Sequence, residues 1–131
     1  MKKFVCLFIA AFALIASGHA QKKKSWKEMT EFHTLKSETF HPAEEGKLGP
    51  IKSRSQEMVD KAVAWEKSTA PEGYNKEAVK SSLQKLVKGS KELHDMVKAN
   101  AKDDAIKEKL SGLHDTFHEI MEKCEKEEHH M

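Results

Sequence analysis

Ile106-Lys-Glu-Lys-Leu110-Ser-Gly-Leu113-His114-Asp-Thr-Phe117-His118-Glu-Ile-Met121-Glu-Lys-Cys124 is the stretch that decides the fold. Its apolar residues recur at steps of three and four, which puts Ile106, Leu110, Leu113, Phe117, Met121 and Cys124 on one stripe of an α-helix. The rest of the cylinder is mostly charged or polar. A helix with a single apolar stripe buries it against other helices, so the segment predicts a bundle.

Working back along the chain, the same pattern returns three times. Leu83, Leu86, Val87, Ser90, Leu93 and Val97 form one stripe; Ile51, Ser55, Met58, Val59, Ala62 and Trp65 form another. Trp26, Met29, Phe32, His33 and Phe40 form the first, with His33 in its middle. Pro42 predicts a bend or stop near His41, because proline removes a helical N–H donor. Three breaks separate the helices. Gly46-Lys-Leu-Gly49-Pro50 places glycine past one helix end and proline in the next first turn. Ser68 to Asn75 is rich in turn formers and ends on a candidate N-cap. Asn100 to Asp103 is a short gap with Asp103 or Asp104 as N-cap. No segment alternates with period two. The expected architecture is an all-α, antiparallel up-down-up-down four-helix bundle, with helices at about 25–45, 50–67, 75–99 and 103–127.

Residues 1–20 read as a secretory signal peptide rather than as part of the fold. Lys2 and Lys3 precede an uncharged apolar run from Phe4 to Ala16, and Ser17-Gly-His-Ala20 offers small residues for cleavage. The run is too short for a spanning helix with a stop-transfer flank. Export to the periplasm or outside the cell is expected, with residues 21–131 as a single domain and no stable membrane insertion after cleavage. Without Lys2 and Lys3, 21 basic residues balance 21 acidic ones. That balance argues against nucleic acid as a partner, which rewards a basic face. Lys22-Lys23-Lys24 reads as a solvated leader. Cys124 is the single cysteine beyond residue 20, so stability must come from a packed core, and a homodimer through this thiol is conceivable.

Histidine carries the chemistry. An i, i+4 pair such as His114 and His118 puts two imidazoles on one side of a helix. If the first and fourth helices are antiparallel neighbours and Met29 lies level with His118, then His33 faces His114 and Trp26 faces Met121. Three imidazoles would then converge, with His41 as a further donor and a transition-metal ion (Zn, Cu or Ni) as the ligand they suit. His41 and His94 with Glu44 or Glu45 form a weaker second cluster, and His129 and His130 read as a solvated tail. There is no nucleophile–base constellation, no Gly-rich phosphate loop and no His-Glu-x-x-His, so no catalysis is expected. A metal-free structural or interaction module, with the histidines satisfied by hydrogen bonds, is an alternative to the metal reading.

This layout resembles the soluble periplasmic cytochrome b and cytochrome c-prime superfamily over residues 21–131. The resemblance lies in four helices, a methionine early in the first (Met29), and Leu110-Ser-Gly-Leu-His-Asp-Thr-Phe-His118 late in the fourth. It implies non-covalent haem b with Met29 and His118 as axial ligands and electron transfer as the alternative function. Covalent haem is not implied, since Cys-x-x-Cys-His is missing. His33 and His114 stand where such a haem needs apolar walls, so the chain reads as a haem-less relative.

Overall fold

The computed structural model describes residues 26–129, with side chains as far as Glu122; the signal-peptide reading, Cys124 and the terminal histidines concern groups outside that range. Four helices run in order: α1 Lys27–Glu44, α2 Gly49–Lys67, α3 Lys76–Lys98 and α4 Asp103–His129. No strand occurs among the described residues. Each helix packs on its neighbours in sequence, and α1 closes the bundle against α4. That last seam is the sparsest of the four interfaces.

Local chemistry sets the boundaries. Gly46 takes φ 87°, a left-handed conformation that costs glycine nothing, while the carbonyls of Pro42 and Ala43 accept from the backbone beyond the α1 end. Asn75 caps α3 by accepting from the Ala78 N–H through its side chain at 3.1 Å. Two expectations are corrected. Pro42 does not stop α1 at His41; the helix runs two residues past it, because so near the end only one bond is lost. Asp103 is already the first residue of α4, and the Lys102 carbonyl accepts from Ile106 N–H at its start. Asp103 and Asp104 therefore sit in the first turn, where negative charge suits the helix dipole.

The core is aromatic at one level and aliphatic elsewhere. Trp65 is fully buried, with the rings of Trp26, Phe32 and Phe117 at 5.8, 5.7 and 5.8 Å. Burying a phenylalanine-sized side chain contributes about 1.5–3 kcal/mol, so this quartet fixes how α1, α2 and α4 meet. Leu86, Leu93, Ile106 and Leu110 continue the core. Leu35, Ala43, Leu48, Val79 and Ile120 are buried as well, which widens each stripe beyond the residues the spacing picked out.

Candidate functional site: the α1/α4 seam

Bulky rings and a lysine stand in the seam. On α1 the inward face is Phe32, Leu35, Lys36, Thr39, Phe40 and Ala43. Lys36 is only 3% exposed. Its chain lies one turn from Phe32 and one turn from Phe40, so an ammonium occupies the centre of the apolar stripe. Among the described residues it has no ion-pair partner. Its Nζ instead reaches His114 Nδ1 at 2.8 Å and lies 5.6 and 5.1 Å from the centroids of Phe40 and Phe117. Burial lowers the Lys36 pKa, and the Glu44 carboxylate opposes that only in part.

His114 is half-buried and held on three sides. Its ring stacks on Phe40 with centroids 4.2 Å apart and planes within 6°. Its Nδ1 meets Lys36, and its Nε2 lies 3.2 Å from Nε2 of His118, one turn on. Burial and the nearby Lys36 and His118 lower its pKa, against a smaller upward pull from Asp115 and Glu44. His118 is exposed.

His33 is placed differently from expectation. It is exposed rather than central to the stripe, because Phe32 and Lys36 take the inward positions and leave His33 on the flank. One ring face lies on Phe117, centroids 5.2 Å apart and planes 18° apart. That covering lowers its pKa first, with Lys36, His118 and His41 adding to it. His41 is exposed at the far end of α1, 3.6 Å from Glu44 and tilted against Phe40 at 5.9 Å.

The seam thus brings His114 and His118 into direct contact, sets His33 beside them, and strings His41 along the same edge. The register between α1 and α4 differs from the expected one by about a turn: His33 meets Phe117, and Lys36 takes the place opposite His114. Trp26 donates its Nε1–H to Ser68 Oγ at 2.9 Å, and its ring packs on Trp65 and Tyr74. His94 shares a 2.8 Å hydrogen bond with Ser55, so it and His41 serve different partners. Met29 is half-buried against the core.

Lys36 is the residue that sequence reasoning missed. Its signal was present in Phe32-x-x-x-Lys36-x-x-x-Phe40, where a charge sits in the gap of the stripe. Among the described residues, no three of His, Cys, Asp and Glu come together as a ready-made metal site. A surface hollow of about 630 Å³ between α3 and α4 is lined by residues such as Gly89, Met96 and Leu113 and by no histidine. No helix among the described residues is long and apolar enough to cross a membrane. Comparison with protein-family models, with curated proteins and with solved structures finds no match.

Proposed function

We propose that this chain is an exported metal-binding bundle that takes up a transition-metal ion at the α1/α4 seam, for sequestration, delivery or sensing. His114 and His118 are the primary ligands, His33 is the α1 residue best placed to join them, and His41 is an outer donor. The observation that carries the reading is the 3.2 Å between the two Nε2 atoms. A tetrahedral ion with bonds of about 2.0–2.1 Å holds neighbouring nitrogens about 3.3–3.4 Å apart, so the separation already suits an ion, which takes the place of the proton in the hydrogen bond the two rings now share. Imidazole donors favour Zn, Cu or Ni over the hard cations.

Two finer readings accompany this one. An up-down-up-down course is supported by the seam, where Phe32 and His33 meet Phe117 while Lys36 and Phe40 meet His114. Export is supported by the leader-like residues 1–20. Haem suits the seam poorly. Phe40 stacks on His114 and His33 on Phe117, so the seam is filled by rings, and His118 turns its Nε2 to His114.

Lys36 works against the ion and so defines the chemistry. A metal on His114 Nε2 leaves that ring's proton on Nδ1, facing the ammonium. The Lys36–His114 hydrogen bond must then break or reverse, with a neutral amine accepting from Nδ1–H. The test is competition for Zn(II) against a chromophoric chelator. Saturable uptake by the protein, retained in His94→Gln and lost in the His114→Ala/His118→Ala double variant, is expected. Equal uptake by the double variant refutes the site.

A further inference from the structure

We propose that the ion held by His114 and His118 is shared between two copies of the chain, each contributing its pair to one tetrahedral centre at a contact between their α4 helices. This rests on the metal reading above and names the partner of that site. The starting point is incompleteness. Two nitrogens are preset at 3.2 Å, close to a tetrahedral edge, and no third His, Cys, Asp or Glu is grouped with them among the described residues. A structural tetrahedral site needs four donors. His33 is stacked on Phe117 and His41 lies 3.6 Å from Glu44, so either would have to leave its present neighbour to join the pair.

The pair is also accessible. His118 is exposed on the outer side of α4, and its neighbours Asp115 and Glu122 are exposed too. A second copy carries the same two imidazoles at the same one-turn spacing. In a two-fold contact, each chain's patch meets itself, so one copy's pair faces the second copy's pair and the coordination shell closes without any other protein. Charge makes the contact conditional. Asp115 and Glu122 of both copies add four exposed carboxylates on the α4 helices, whose mutual repulsion in the apo protein a divalent cation offsets, while the two Lys36 ammoniums, each 2.8 Å from a His114, oppose the ion. The dimer should therefore form with the metal and dissolve without it.

Sedimentation velocity of the untagged protein, with Zn(II) titrated in and a phosphine reductant to prevent covalent linkage through Cys124, tests this directly. The expected result is a doubling of mass that saturates at one zinc per two chains. It reverses with a chelator, persists in His94→Gln and is absent in His118→Ala, whose exposed position leaves the fold intact by circular dichroism. Zinc bound at one per chain with no change in mass overturns the shared centre and leaves the metal reading standing. No zinc uptake at all overturns both.

Discussion

Replacing Lys36 with methionine should tighten metal binding, although Lys36 touches a proposed ligand. Methionine keeps an unbranched chain of similar reach between Phe32 and Phe40 and removes the charge. In the native chain Nζ stands 2.8 Å from His114 Nδ1. Crossing the ring to an ion on Nε2 leaves about 6–7 Å between the charges, given a metal–nitrogen bond of about 2.1 Å. At that distance a single positive charge and a divalent ion repel by about 1.3 kcal/mol in water, and by about 5 kcal/mol at an effective dielectric of about 20. His118 is exposed but Lys36 is 3% exposed, so the water-like figure is the lower bound on the effect. It corresponds to about tenfold in affinity. The variant should also be more stable, by about 1 kcal/mol, because an ammonium 3% exposed and without an ion pair gives way to a packed apolar chain. Chelator competition at pH 7 measures the first effect and urea denaturation the second. A folded Lys36→Met protein that binds zinc more weakly than the native chain would show that Lys36 supports the site, and would refute this reasoning.

Three further outcomes follow from the packing and the titrating groups. A Cβ on Gly89 would lie 2.7 Å from Leu113 Cδ2, whereas one on Gly112 meets nothing within 4 Å. Gly112→Ala should therefore stabilise the protein by about 1 kcal/mol through helix propensity, and Gly89→Ala should lose that gain or fall below the native chain in the same urea assay. Phe117→Ala removes a ring packed on Phe32, Trp65 and His33 and should cost about 3–5 kcal/mol by thermal or chemical denaturation. His33 and His114 both have pKa values lowered below 6.5 by folding, so below that pH the unfolded chain binds more protons. Their stabilising contribution is complete above about pH 6.5 and is lost as the pH falls through that value towards the folded pKa. Denaturation midpoints at pH 8 and pH 5 should differ in that sense for the native chain, and less for a variant carrying His33→Gln and His114→Gln.

What could be read from the sequence follows a physical division. The four helices were legible because each carries one apolar stripe and ends at a turn-forming break, both local properties. The His114–His118 pair was legible for the same reason, since i, i+4 geometry needs no knowledge of the fold. The seam was not. Which residue of α1 faces which residue of α4 depends on side-chain volume across the interface, and Trp65 draws Trp26, Phe32 and Phe117 about itself in a register a turn from the simplest alignment. Lys36 escaped because a lysine inside an apolar stripe reads as a gap, yet its methylenes are long enough to span the core edge and deliver Nζ to an imidazole. His33 was misplaced by the mirror of that error: once Lys36 turns inward, the neighbouring flank turns out.

The central claim is that His114 and His118 take a metal ion together through their Nε2 atoms. The most direct measurement is the imidazole ¹⁵N NMR spectrum of the labelled protein as Zn(II) is added. The account predicts that the Nε2 resonances of His114 and His118 move in concert to the metal-bound position while those of His94 stay in place. Zinc that shifts only His129 and His130, or leaves both seam nitrogens unmoved, would contradict it.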